Sequence, residues 1–359
     1  MTETPEKDHR IRVGISHGDI NGISYEIIIK TLQDPRLLET YTIVVYGSSK
    51  VASYHRKTLN INDFNFNLVK KAELAHPHRP NIVNIHEDEV KIDLGKSTTI
   101  AGEQSLLSLE MAIDDLQKKQ IDVLVTAPIN KKNIQSPTFQ FPGHTEYLAR
   151  KFNTSDYLML MVNDTIRIGV ITGHIPLNKV TETITEELVR KKINILNRSL
   201  VRDFGIIKPR IAILALNPHA GDEGLIGNED STIIQPAIEK EYSHNILVFG
   251  PFSADGFFGS GNFRHFDGIL AMYHDQGMVP FKLMSFDAGV NFTAGLPVVR
   301  TSPAHGTAYD LAGKNEASPE AFRNALYLAG DIFLHRQEFD ELHANPLHTA
   351  GIQPENHHS

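Results

Sequence analysis

The chain has 359 residues, 41% of them hydrophobic and 22% charged, with a formal net charge of -8 and no cysteine. Its length exceeds what a single compact core ordinarily fills, so two lobes or one large α/β domain are expected. Disulfides and thiolate nucleophiles are excluded, any metal must be held by His, Asp or Glu, and the dispersed Lys and Arg leave no electrostatic footprint for nucleic acid.

The first residues are charged and lack the apolar stretch of a signal peptide. No apolar run approaches the roughly 20 residues that cross a bilayer. The expected location is cytoplasmic, with no membrane partner.

A first strand is predicted over 12–16, ending in the polar turn His17-Gly18-Asp19. A helix is predicted over 23–32 and a second strand over 42–46, ending at Gly47. Residues 57–95 are polar and weakly patterned, and are expected to form a peripheral excursion. Helical apolar spacing returns over 105–117, followed by a short apolar strand over 121–126 with Asp122 as its polar break. Further strands are predicted over 166–172, 210–216, 246–249 and 268–272. Near-continuous apolar strands alternating with helices favour a parallel sheet covered on both faces. In such sheets ligands gather beyond the carboxyl ends of strands, where the turns carry His174, His219, Asp255 and His274. Residues 340–359 lack periodicity and are expected to fray, with His357-His358 part of a solvated tail.

The chemistry concentrates in residues 272–319. His274 and Asp275 follow an apolar run, then come Lys282, Asn291 and Arg300, then the glycine-bearing loop His305-Gly306-Thr307-Ala308. That order suggests metal or proton chemistry, anion capture and nucleotide binding, and so an enzyme. Three neutral imidazoles with an open position suit a catalytic divalent metal, and His174, His219 and His274 each follow a predicted strand. Spacing alone leaves open whether they are ligands or unrelated turn residues, because no short motif such as His-Glu-x-x-His is present.

Gly143-His144-Thr145-Glu146 offers backbone N–H groups and a hydroxyl to an anion, or is simply a helix start capped by Thr145. Arg300 brings a bidentate fork for phosphate or carboxylate and Lys282 a mobile point charge. Their neighbours Phe281, Leu283, Val290, Phe292, Leu296 and Val298 leave little solvated face. Gly18-Asp19-Ile20-Asn21-Gly22 stands where a Gly-x-Gly-x-x-Gly fingerprint would follow the first strand, and there is no Walker loop. A nicotinamide cofactor would therefore be bound in some other way.

Several longer motifs occur in order: Gly18-Asp19 with Gly22-Ile23 and Glu26, Thr126-Ala127-Pro128-Ile129-Asn130-Lys131, Phe141-Pro142-Gly143-His144-Thr145-Glu146 and His174-Ile175-Pro176-Leu177. They continue with Leu216-Asn217-Pro218-His219-Ala220-Gly221, Tyr273-His274-Asp275-Gln276-Gly277, Phe292-Thr293-Ala294-Gly295-Leu296-Pro297 and His305-Gly306-Thr307-Ala308. Along nearly the whole chain this pattern resembles the 4-hydroxythreonine-4-phosphate dehydrogenase family of vitamin B6 biosynthesis. Two turns depart from it. Gly18 to Glu26 reads Gly-Asp-Ile-Asn-Gly-Ile-Ser-Tyr-Glu, where the family usually has Gly-Asp-Pro-Ala-Gly-Ile-Gly-Pro-Glu, and Ser253-Ala254-Asp255-Gly256 replaces the usual Pro-Ala-Asp-Thr.

The resemblance implies an α/β, isocitrate/isopropylmalate-dehydrogenase-like fold, with two α/β subdomains and the active site in the cleft between them. Residues 1–135 plus 298–359 would bind the cofactor, and residues 136–297 would carry the metal, the substrate and the dimer contact. It also implies a homodimer with shared active sites. Each site would hold one divalent metal (zinc, magnesium or cobalt) on His174, His219 and His274, one of them from the partner subunit. Substrate contacts fall on His144, Thr145, Lys282, Asn291 and Arg300. His305, Gly306, Thr307, Ala308 and Asp310 are similar to the adenosine-binding loop of β-hydroxyacid dehydrogenases, which use NAD or NADP.

The implied reaction oxidises 4-phosphohydroxy-L-threonine, a small phosphorylated hydroxy acid, to 2-amino-3-oxo-4-phosphooxybutanoate. This decarboxylates to 3-amino-2-oxopropyl phosphate. Lys282 is the candidate to take the hydroxyl proton, with Asp255 or a metal-bound water as alternatives. A second reading keeps the chemistry but acts on 4-phospho-D-threonate or 4-phospho-D-erythronate. A third is a non-catalytic anion-binding protein on the same fold.

Overall fold

Strands form where β-branched and aromatic residues cluster, and here they do so in a segment buried on both faces. β1 (Ile11–Ser16) is buried at all but one position, and β2 (Tyr41–Gly47) at every position, as for strands with layers above and below. The computed structural model describes residues 10–285 and 287–345. Ten further strands follow: β3 (Asn67–Val69), β4 (Asn81–Asn84), β5 (Val123–Thr126), β6 (Leu158–Val162), β7 (Arg167–Thr172), β8 (Arg210–Leu214), β9 (Leu247–Phe252), β10 (Gly268–Tyr273), β11 (Val290–Ala294) and β12 (Val299–Pro303).

All twelve belong to one sheet, in the order β3-β4-β2-β1-β5-β12-β11-β6-β7-β10-β8-β9. β3-β4-β2-β1-β5-β12 form one parallel block and β7-β10-β8-β9 another. β11 and β6 join them, each antiparallel to both of its neighbours. The expected parallel sheet thus holds within the blocks and gives way at the join. Connection length is the reason, because parallel neighbours need a crossover of a dozen or more residues. β6 reaches β7 through a tight turn in which the Asn163 Oδ1 accepts from the N–H groups of Thr165 and Ile166, each at 2.8 Å. β11 reaches β12 through Gly295, at φ 87°, where a Cβ would lie 2.2 Å from the Asp156 carbonyl oxygen. The excursion expected over 57–95 supplies β3, at the sheet's edge, and β4 beside it.

Side-chain alternation sorts the sheet into two unlike faces. Val13 and Ile15 of β1, Val123 and Val125 of β5, Phe292 of β11, Leu160 of β6 and Leu270 of β10 share one continuous apolar cluster. The Glu320–His343 helix packs on this side against β12, β5 and β11, in contact with the Glu186–Arg202 helix. The opposite face carries two separate clusters. One includes Leu124 and the Thr99–Gln117 helix, and the other Ile168, Ala271 and the His274–Ser285 helix. No helix among the described residues is long and apolar enough to cross a membrane. The segment expected to fray over 340–359 instead begins inside the Glu320–His343 helix, and residues 346–359, with His357-His358, lie outside the described residues.

The Thr99–Gln117 helix starts at Thr98, whose hydroxyl accepts from the Ala101 N–H at 3.2 Å, and its first turn touches the 130–134 loop. A Cβ at Gly102 would stand 1.9 Å from the Asn133 carbonyl oxygen. Gly102→Ala is therefore expected to destabilise the fold by about 1–3 kcal/mol, as overpacking does. The midpoint of urea unfolding reads this out, and an unchanged midpoint would show that the loop yields freely.

Candidate active site

Between the two clusters of the second face lies a cavity of about 570 Å³. Its floor is the sheet itself. Asn291 of β11 is in register with Ser302 of β12 and Met161 of β6, so polar side chains stand where apolar ones would continue the core, and Arg300 shares that floor. The walls are the turn after β5 (Ala127, Pro128), the start of the His144–Lys151 helix, the turn after β7 (Gly173, His174), the helix side chains His274, Met278 and Lys282, and His305-Gly306 after β12.

Arg300 dominates the electrostatics. It is 2% exposed, and its Nε and Nη2 donate to the Thr126 hydroxyl at 3.0 and 2.6 Å. It forms no ion pair among the described residues. Burial lowers its pKa to about 9, with only Glu146 pulling the other way. A buried, unpaired guanidinium is costly, and an anion in the cavity would relieve that cost. His144 is held well below the usual imidazole pKa, first by burial and then by Arg300 and Lys131. It is neutral at pH 7, and its buried Nε2 has no partner. The Asn291 Oδ1 is likewise buried and unpartnered.

Thr145 is not the helix cap that one reading expected. Gly143 holds that position without a side-chain bond, and the Thr145 hydroxyl lies 3.3 Å from that of Thr293. Lys282, Asn291, Arg300, His144 and Thr145 all line the one cavity.

His174 and His274 also line it, with ring centroids 5.6 Å apart. The His274 Nδ1 lies 2.7 Å from Asp275 Oδ1, a carboxylate contact that fixes the tautomer and leaves Nε2 for a metal. Burial, then Lys131, lowers the pKa of His174, which favours the neutral form that metal ligation needs. This pair fits a divalent metal but leaves it short of ligands. No group of three His, Asp or Glu among the described residues could hold a metal, and His219 does not line the cavity. His219 is exposed on a run from His219 to Gly224 in which every φ is positive. Its field reaches Asp255, which is exposed, accepts from the Ser253 hydroxyl at 2.6 Å and is also absent from the cavity wall. Spacing after neighbouring strands suggested that three histidines could meet. Two of them do so within one chain, and the left-handed turn carries the third elsewhere.

The loop expected to bind nucleotide is tied to the first βα turn. The Ile23 N–H donates to the Thr307 carbonyl at 3.1 Å, and a Cβ at Gly22 would lie 2.5 Å from that oxygen. The Tyr309 hydroxyl donates to Asp19 Oδ2 at 2.7 Å, and Asn133 Nδ2 donates to the same oxygen at 2.8 Å. His305 and Gly306 face the cavity, whereas Thr307, Ala308 and Asp310 do not line it. Behind this turn His17, Tyr25 and His55 stack at centroid spacings of 5.3 and 5.2 Å.

Three charged wall residues carried no assigned role in the sequence: Lys131, Glu146 and Lys192. Lys131 and Glu146 flank Gly143, each within 4 Å of where its Cβ would be, and both fall inside motifs already singled out. Lys192 donates to the Tyr157 carbonyl at 2.6 Å, and nothing in the pattern around it distinguishes it from Lys191.

The family model for Pyridoxal phosphate biosynthetic protein PdxA matches residues 39–329. The chain belongs to this family. It is 52% identical over 342 residues to a 4-hydroxythreonine-4-phosphate dehydrogenase of Bacteroides thetaiotaomicron, covering 95% of this chain and 94% of that one. An enzyme of the same name from Sulfurihydrogenibium sp. is 39% identical, covering 89% and 97%. Among solved structures, a 4-hydroxythreonine-4-phosphate dehydrogenase from Klebsiella pneumoniae superposes with a TM-score of 0.77 at 32% identity, covering 90% of this chain and 98% of that one. A terephthalate 1,2-cis-dihydrodiol dehydrogenase from Burkholderia xenovorans shares the fold alone, with a TM-score of 0.60, 24% identity, and 90% and 98% covered.

In this PdxA-family member the buried stack beneath the first turn links stability to pH. Burial lowers His17 and His55 to about 4 each, whereas unfolded histidines titrate near pH 6.5. The unfolded chain therefore takes up protons first, and stability present above about pH 6.5 is lost as pH falls toward 4. Unfolding free energies from urea titration at pH 7 and 4.5 should differ by a few kcal/mol in total, and a flat profile would mean that water reaches the stack.

Proposed function

We propose that the cavity carries out NAD- or NADP-dependent oxidation of 4-phosphohydroxy-L-threonine to 2-amino-3-oxo-4-phosphooxybutanoate, which loses carbon dioxide to give 3-amino-2-oxopropyl phosphate. The observation that carries this reading is Arg300, buried without a counter-ion on the cavity floor beside neutral His144. Relatives bearing the enzyme's name cover nearly the whole chain. Arg300, Lys282, His144, Thr145 and Asn291 hold the phosphate and carboxylate ends, and Lys282 takes the hydroxyl proton. His305, Gly306, Thr307, Ala308 and Asp310 would hold the nucleotide, which when bound would supply the hydride acceptor. Residues 1–135 with 298–359 act as the cofactor-binding subdomain, and residues 136–297 carry the metal, the substrate and the dimer contact. The enzyme works in the cytoplasm.

His174 and His274 hold a divalent metal (zinc, magnesium or cobalt) together with the partner's His219. When bound, such a metal supplies Lewis acidity to a hydroxyl oxygen and steadies the charge left by decarboxylation. The closeness of the two rings, the lowered pKa of His174 and the Asp275 contact support this assignment. Asp255 travels with His219 and enters the same site from the second copy, so each active site of the homodimer is shared.

NAD reduction with 4-phosphohydroxy-L-threonine, beside 4-phospho-D-threonate, is the direct assay. Turnover of the first substrate, abolished by chelator and restored by added metal, is expected. Turnover of the second alone would reassign the substrate. Arg300→Ala should raise KM for the phosphorylated substrate by roughly ten- to a hundredfold, the weight of one charged hydrogen-bonding group, while leaving KM for NAD little changed. Equal losses for both would remove Arg300 from the substrate site.

Complementation tests the shared site. His174→Ala and His219→Ala chains are each expected to be inactive alone. After unfolding and refolding together, roughly a quarter of the activity should return, because half the dimers then carry one intact site. No recovery on mixing would place all three ligands in one chain.

A further inference from the structure

A second cavity, of about 410 Å³, lies between the last turns of the Glu186–Arg202 helix, the Glu320–His343 helix and the β11–β12 hairpin. It shares no lining residue with the active-site cavity. Three guanidinium groups converge on it, those of Arg198, Arg202 and Arg336.

Arg336 is the anchor. It is 7% exposed, and its Nε donates to Asp203 Oδ1 at 2.6 Å. The other Asp203 oxygen accepts from the Ser199 hydroxyl at 2.6 Å, so that carboxylate is engaged on one edge of the guanidinium only. The Arg336 Nη1 is buried and has no acceptor. Leaving a buried donor of a charged group unmade costs on the order of 1–3 kcal/mol or more, so Asp203 alone does not satisfy this guanidinium.

The two other arginines are held less tightly. Arg198 is exposed and feels the field of Asp156, but it has no hydrogen bond or ion pair among the described residues. Asp156 is itself bound by Lys191 at 2.5 Å. Arg202 reaches Asp340 through Nε and Nη2 at 3.2 and 2.8 Å, a solvent-exposed pair of the kind that contributes little. Two carboxylates also line the space, Asp156, which is engaged by Lys191, and Asp203, which is engaged by Arg336 and Ser199, so the arginine donors still outnumber the acceptors left to them. A phosphate monoester offers three oxygens and close to two negative charges. The volume falls in the range of small-molecule sites, about 300–1,000 Å³. Phe152, Ile195, Leu296 and Pro297 supply an apolar wall for an organic remainder.

We propose that this cavity is a second anion site, which binds the phosphate group of a small phosphorylated metabolite independently of the active site. Equilibrium dialysis of the whole chain against radiolabelled inorganic phosphate at low ionic strength tests it. Two classes of bound phosphate are expected in the unaltered chain. Arg198→Ala with Arg202→Ala should weaken one class at least tenfold, and Arg300→Met should weaken the other. The paired surface substitutions lie outside the core, so their result does not depend on how well Arg300→Met folds. A single class removed by Arg300→Met, or phosphate binding untouched by the Arg198 and Arg202 substitutions, overturns the proposal.

Discussion

A guanidinium buried on the floor of a sheet with no ion-pair partner among the described residues is the constraint around which the site is arranged. Arg300 leans on a single hydroxyl, that of Thr126, which orients two of its nitrogens but cannot neutralise the charge. The apolar core of that face is split in two to accommodate it, and the strands between the halves present Asn291 and Ser302 rather than aliphatic side chains. Its charge then acts on its neighbours. His144 stays neutral beside it, and Lys131 and Lys282 add positive charge around the same space. A chain with a net charge of -8 thus keeps a concentrated positive pocket, which suits a small, doubly anionic substrate.

The parallel blocks were legible because their strands are almost wholly apolar and end in glycine-bearing or polar turns. β11 and β12 were not. Asn291, Arg300 and Ser302 interrupt the apolar pattern on the face where the cavity forms, so a functional requirement masked the strand signal. The same interruption made Asn291 and Arg300 stand out as anion ligands. Strands β3 and β4 were missed because three- and four-residue strands give too short a pattern to recognise. Lys192 could not be found either, since its role depends on which way a helix faces.

His219 shows where strand-end reasoning stops. β7, β10 and β8 are adjacent and parallel, so the turns that follow them leave the same edge. Two of their histidines meet. The third sits at φ 53° in a left-handed run through Gly224, a conformation costing roughly 1–2 kcal/mol for each residue with a side chain. Buried Asp230 stabilises the entry to that run by accepting from the Leu216 and Asn217 N–H groups at 2.7 and 3.0 Å. Strain maintained this way marks a position under functional demand. A histidine held outward on such a turn is poorly placed to serve its own cavity, which is why the proposed metal site takes it from a second copy.

The most direct measurement is anomalous diffraction at the cobalt edge from crystals grown with cobalt. One cobalt per cavity is expected, bound by His174 and His274 of one chain and by His219 of its neighbour. Cobalt absent from that histidine pair, or bound there by three ligands of a single chain, would contradict a metal site completed across the dimer.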